Sequence, residues 1–127
     1  MNDEQYLQHC HELLSEFAET LFRRAATLEE NDPFRQLAAA FQNLSNGGGE
    51  LYADGPALVS RLFTTYPDFA PTFPRELLWF FGGDCLHYMP DEEITQFQQL
   101  EELRLEAAGR GETFNLREAR AKLLNLQ

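Results

Sequence analysis

The stretch that decides the fold is residues 3–30, DEQYLQHCHELLSEFAETLFRRAATLEE. Apolar side chains recur in it at alternating spacings of three and four residues, and only Arg24 interrupts the series. The members of the series are Leu7, Cys10, Leu14, Phe17, Leu21 and Leu28. This spacing places them on one side of an α-helix, and Leu13 and Phe22 widen that side into a face, so the stretch predicts a long amphipathic helix.

Prolines and glycines divide the rest of the chain into further helical segments. Asp32 and Pro33 are expected to start a second helix, because aspartate caps unpaired amides and proline suits the first helical position. The inner face of this helix is predicted to hold Phe34, Leu37, Ala38, Phe41 and Leu44. The triple glycine at residues 47–49 predicts a flexible connection. The run DGP at residues 54–56 repeats the starting signal and predicts that a third helix begins there.

Apolar residues cover both sides of a fourth helix, which is predicted to run from Pro74 to about Tyr88. A helix without a polar face is typical of a buried position, so we expect it at the centre of the fold. Gly82 and Gly83 interrupt this helix at a cost of roughly 1 kcal/mol each relative to alanine. We therefore expect either a close approach or a kink in the helix at these two glycines, and a neighbouring helix that crosses there is the explanation that we favour.

The fifth and sixth helices complete the predicted fold. The inner face of the fifth is expected to hold Ile94, Phe97, Leu100, Leu103 and Ala107. The sixth starts at Asn115, which forms a capping-box pattern with Glu118. No segment has the two-residue period of a strand, and the length of 127 residues suits one domain. The sequence therefore predicts an all-α fold, a compact bundle of about six helices in a single domain over residues 1–127.

Charge and hydropathy narrow the classes of partner. The chain has 21 acidic and ten basic residues, which gives a formal net charge of −11. Such a surface repels phosphate backbones and disfavours nucleic acid, whereas it suits a basic partner protein or serves only solubility. The longest apolar stretch, residues 77–89, is too short to span a bilayer, and the acidic N-terminus does not resemble a secretory signal. We expect no membrane partner and a cytoplasmic location.

Cysteine and histidine side chains form the first candidate site. Cys10, Cys85 and His87, joined by His9 or His11, could bind zinc or copper, because thiolate and imidazole are the ligands these ions prefer. However, His9 and His11 lie about 200° apart on a helix, so at most one of them can join Cys10. Both cysteines also lie on apolar stripes, where a thiol behaves as a small hydrophobic side chain. We favour that alternative over a metal- or ligand-binding protein.

Asp84 and His87 form a second candidate site, for an enzyme. Residues three apart share a helix face, so this carboxylate could orient the imidazole for proton transfer. Burial among the aromatic side chains at residues 79–81 would raise the pKa of Asp84 and make it a useful acid. The alternative, which we favour, is an aspartate that caps backbone amides after the two glycines, or a buried carboxylate that is hydrogen-bonded to another helix. No phosphate-binding or dinucleotide motif accompanies the pair, so we predict no cofactor.

Aromatic residues between prolines form the third candidate site, for a protein partner. Its members are Phe63, Tyr66, Phe69 and Phe73, together with Trp79. Rigid aromatic surfaces anchor protein partners, although the alternative that we favour for these rings is that they close the core. The leading functional hypothesis is a protein that acts by protein-protein contact, as a regulator, adaptor or inhibitor. The apolar surplus of the first and fourth helices also favours a homodimer.

Overall fold

The computed structural model of the protein describes residues 3–111 and Ala119. Within residues 3–111 it contains five α-helices, two 3₁₀ segments and no strand, which confirms the predicted all-α fold class. The α-helices are α1 (Asp3–Ala25), α2 (Pro33–Ser45), α3 (Leu51–Thr65), α4 (Arg75–Phe81) and α5 (Asp91–Gly109). The 3₁₀ segments are Pro67–Phe69 and Gly83–Tyr88. Ala119 is helical, but the rest of the predicted sixth helix lies outside the described residues.

The chain divides into two compact units, which we describe separately. The larger is residues 10–88, and the described part of the smaller is residues 3–9 and 89–111. That residues 1–127 form a single domain stays a prediction. No helix within residues 3–111 is long and apolar enough to cross a membrane.

In the larger unit, α1 buries the stripe that its sequence predicts. Cys10, Leu14, Phe17 and Leu21 are all buried, whereas Leu7, the first member of the predicted stripe, is 44% exposed and Phe22, assigned to the same face, is 46% exposed. Four helices, α1 to α4, and the segment before α4 contribute large side chains that are fully buried. These include Leu14, Leu21, Leu37, Phe41, Leu62, Phe73, Leu77 and Leu78. The core of this unit is therefore built by helical stripes of the predicted period.

The connection between α1 and α2 begins earlier than predicted. α1 ends at Ala25 instead of near residue 30, and the chain continues in hydrogen-bonded turns, with the Leu28 amide donating to the Ala25 carbonyl at 3.0 Å. The guanidinium of Arg35 donates to the Leu28 carbonyl and so satisfies an acceptor that the helix leaves open. The start of α2 is as predicted, because Asp32 Oδ1 accepts from the Phe34 amide at 2.9 Å.

The predicted start of α3 at residues 54–56 is wrong. α3 begins at Leu51, and Pro56 lies inside the helix. The reason is that the Asp54 carboxylate caps a backbone amide that precedes it in the chain. Its Oδ2 accepts from the amide of Glu50, four residues earlier, at 2.8 Å, so the helix begins before the aspartate instead of after it.

The predicted fourth helix is also wrong, because it ends at Phe81 after seven residues. Gly82 and Gly83 have φ angles of +63° and +52°, and the chain continues as a 3₁₀ segment. Such left-handed glycines end helices. Among the described residues no helix packs closely against them, since a Cβ at Gly83 would meet none of their atoms within 4 Å. The close approach occurs at Gly55 of α3, where an added Cβ would lie 2.5 Å from Cε1 of Phe81.

The smaller unit contains α5 and the first residues of α1. Phe97, Leu100 and Ala107 are buried as predicted, but Leu103 is 40% exposed and Arg104 is buried beside it. The Arg104 guanidinium lies 5.0 Å from the ring centroid of Tyr6 and donates to Glu101 Oε1 at 2.6 Å. The Glu101 carboxylate and the Tyr6 ring compensate the charge of the guanidinium. Arg104 is therefore buried, where the sequence predicted that Leu103 would be.

Candidate functional site

The larger unit contains a continuous network of aromatic rings. Phe17 on α1 is its branching point, with ring centroids 5.8 Å from Phe41, 4.7 Å from Phe73 and 6.4 Å from Phe69. Phe63 extends the network, at 5.4 Å from Phe73 and 4.7 Å from Tyr88. All five pairs meet edge to face, which is a favourable arrangement of ring quadrupoles.

One branch of this network ends at the protein surface. Phe34 stacks on Phe69 with a centroid distance of 5.7 Å and an angle of 18°, and meets Tyr66 edge to face at 5.1 Å. These three side chains are half-buried. Arg24, which is exposed, places its guanidinium carbon 5.1 Å from the centroid of Phe69. We call Phe34, Tyr66, Phe69 and Arg24 the aromatic surface.

The backbone that carries Tyr66 and Phe69 is held by hydrogen bonds. The Phe69 amide donates to the Tyr66 carbonyl at 3.1 Å, and the Phe73 amide donates to the Phe69 carbonyl at 2.9 Å. Arg75 braces the segment by donating to the carbonyls of Ala70 at 2.9 Å and Tyr88 at 3.1 Å. The aromatic surface is therefore preorganised, which lowers the entropy cost of binding a partner.

The structure separates the predicted partner-binding residues into two groups. Phe63 and Phe73 are buried, so they are not surface anchors and they close the core, which is the alternative that the sequence favoured. Tyr66 and Phe69 are half-buried, as is Trp79 on α4, and their role stays a prediction. Phe34 was missed because helical spacing assigned it to the inner face of α2. Its position directly after Pro33, at the edge of a helix, was the available signal.

Asp84 and His87 lie together on the 3₁₀ segment Gly83–Tyr88, outside the core. Asp84 Oδ1 and His87 Nε2 are 3.9 Å apart, beyond hydrogen-bond distance, and the side chains are 100% and 81% exposed. The burial expected for Asp84 is therefore wrong. The reason is that Gly82 ends α4, so the residues after it leave the apolar side of the helix.

The two cysteines lie inside the larger unit, and neither forms a disulfide. Burial, and secondarily the charge of Asp84, raises the pKa of Cys85 to about 11. Cys85 is therefore a thiol at neutral pH, whereas metal binding requires the thiolate. His87 is exposed and His9 and His11 are half-buried. Within residues 3–111, no three His, Cys, Asp or Glu side chains are grouped so that they could hold a metal ion.

These observations define an all-helical protein with a preorganised aromatic surface. The chain belongs to the PA2817-like family, whose model matches residues 2–127. No curated protein and no solved structure is significantly similar to the chain.

Proposed function

We propose that this protein acts by protein-protein contact, as a regulator, adaptor or inhibitor, and that its partner binds the aromatic surface. The observation that carries the proposal is the half-buried stack of Phe34 on Phe69, with Tyr66 at its edge and Arg24 over its face. Tyrosine and arginine are enriched among the residues that dominate binding energies at protein interfaces.

Charge suggests the chemistry of the partner. The formal net charge of −11 favours a protein whose apolar contact residues are surrounded by basic groups, because complementary charges speed association and disfavour wrong partners. Arg24 places a positive charge on the aromatic surface of this acidic chain, and an acidic or aromatic side chain of the partner could contact it. We place this interaction in the cytoplasm.

A second copy of the chain is the alternative partner. The support from the fourth helix is weaker than predicted, because Leu77, Leu78 and Phe81 of α4 are buried within the larger unit. The first helix still supports a homodimer, since Phe22 is 46% exposed and Leu7 is 44% exposed. Light scattering at two concentrations tests this alternative, and a monomer at both would contradict it.

Two neighbouring arginines allow a matched test of the main proposal. Arg24 lies over Phe69, whereas Arg23 is exposed and pairs with Glu19 at 3.3 Å. The substitutions Arg24→Glu and Arg23→Glu make the same change of charge one residue apart. The immobilised wild-type protein, both variants and Tyr66→Ala are used to capture proteins from the native lysate, and mass spectrometry quantifies what each retains.

We expect a partner that wild type and Arg23→Glu retain equally, and that Arg24→Glu and Tyr66→Ala lose by tenfold or more, which corresponds to about 1.4 kcal/mol. Circular dichroism confirms that each variant is folded. Equal retention by all four proteins would contradict the proposed surface.

A further inference from the structure

A cleft lies between α2 and α3, and it shares no residue with the aromatic surface. Its volume is about 290 Å³. Asn43, Asp54 and Arg61 provide its polar groups, and Ala40, Leu44 and Ala57 are among its apolar lining residues. The cleft is open to solvent, since Asn43, Asp54 and Arg61 are exposed. Charged groups of both signs beside apolar surface suit a small polar ligand.

The glycines of the connecting loop make room for two of these polar side chains. A Cβ at Gly48 would lie 2.5 Å from the side-chain amide of Asn43, and a Cβ at Gly49 would collide with Asp54 Oδ2. The loop is also anchored, since the Gly48 amide donates to the Asn43 carbonyl at 2.8 Å. The predicted flexible connection thus packs against the Asn43 and Asp54 side chains at Gly48 and Gly49, and Gly48 lines the cleft.

The spacing of Asp54 and Arg61 along α3 indicates the length of a ligand. The two residues are seven positions apart, which places their α-carbons on the same helix face and about 10 Å apart along the helix axis. An extended chain of three residues spans about the same distance, roughly 10 Å. Asp54 Oδ2 already accepts from the Glu50 amide, but a carboxylate can accept several hydrogen bonds, so it can also accept from an ammonium group.

We propose that this cleft binds a short peptide of about three residues with free termini. The peptide ammonium group binds Asp54, the peptide carboxylate binds the guanidinium of Arg61, and the Asn43 amide binds the peptide backbone. Guanidinium and carboxylate form paired hydrogen bonds, which gives the cleft a preference for a free C-terminus.

Titration calorimetry with trialanine tests the proposal. N-acetylated, C-amidated trialanine is the matched ligand control, because it keeps the backbone and removes both terminal charges. The protein variants are Arg61→Gln and Asp54→Asn, the latter of which keeps an oxygen that can accept from the Glu50 amide. Arg23→Gln removes an exposed arginine from α1 and is the matched protein control.

We expect trialanine to bind wild type and Arg23→Gln with equal affinity. Arg61→Gln, Asp54→Asn and the blocked peptide should each weaken binding by about tenfold or more, because each removes a charge-assisted hydrogen bond. Absence of binding to wild type at millimolar peptide would overturn the proposal. Equal affinity for blocked and free trialanine, or equal affinity of Arg61→Gln and wild type, would also overturn it. None of these results depends on the aromatic surface, so the two proposals fail separately.

Discussion

The two units of the chain bury different kinds of side chain. In the larger unit, Phe17 contacts three other rings in an interior of aromatic and aliphatic groups. In the smaller unit, Arg104 is buried beside Phe97, Leu100 and Ala107. Ring packing is almost independent of pH and salt, whereas an ion pair responds to both. The comparison teaches that the same helical spacing of apolar residues can produce a core of apolar side chains alone or a core that includes a charged side chain.

The largest expected effect tests the aromatic half of this comparison. Phe17→Ala removes the ring at which the network branches, so the free energy of unfolding should fall by about 3–5 kcal/mol. Phe22→Ala is the matched control on the same helix, because Phe22 is 46% exposed. Guanidinium unfolding followed by circular dichroism measures both variants. Similar losses for both would show that the network does not dominate the stability of the larger unit.

The second effect tests how closely the larger unit is packed. Gly55→Ala should lower the free energy of unfolding by about 1–3 kcal/mol, because the new methyl group would overlap the ring of Phe81. Gly109→Ala is the control, since a Cβ there would meet open space at the end of α5. Alanine at that position should be neutral or stabilising by less than about 1 kcal/mol. A stabilising effect of Gly55→Ala would contradict the close contact.

The third effect tests the charged half of the comparison. Arg104→Met keeps the apolar stem of the side chain but removes the guanidinium and its contacts with Glu101 and Tyr6. This substitution should lower the free energy of unfolding by about 1–2 kcal/mol. Glu102→Gln removes an exposed charge from the same helix and should have little effect. Unfolding at low and high salt measures the contribution of charge. If Arg104→Met were as stable as wild type, the ion pair would not hold the smaller unit together.

The smallest effect concerns Cys85 at alkaline pH. The folded state raises the pKa of this thiol from 9.0 to about 11, so the unfolded chain releases the proton first as pH rises. Stability that is fully present below pH 9 should therefore fall by about 1 kcal/mol between pH 9 and pH 10. The matched variant, Cys85→Ala, should lose less stability over the same range. Equal pH dependence of both proteins would exclude burial of the thiol as the cause.

Part of the candidate site was available from sequence. Tyr66 and Phe69 were identified by their position among prolines, but Phe63 and Phe73 of the same group proved to be buried. The pattern shows that the rings are held rigidly, and it does not show which of them reach the surface. Phe34 was missed because it joins Tyr66 and Phe69 only after α2 has packed beside the segment Pro67–Phe69.

The sequence by itself determined the all-α class, the buried stripe of α1 and the cap at Asp32. Each depends on interactions within a few residues, such as helical periodicity and a side chain bonded to the next turn. Only the tertiary structure decided that Arg104 is buried, that Gly55 contacts Phe81 and that residues of α2 and α3 line an open cleft. These outcomes depend on residues far apart in the chain, whose contacts no local pattern encodes.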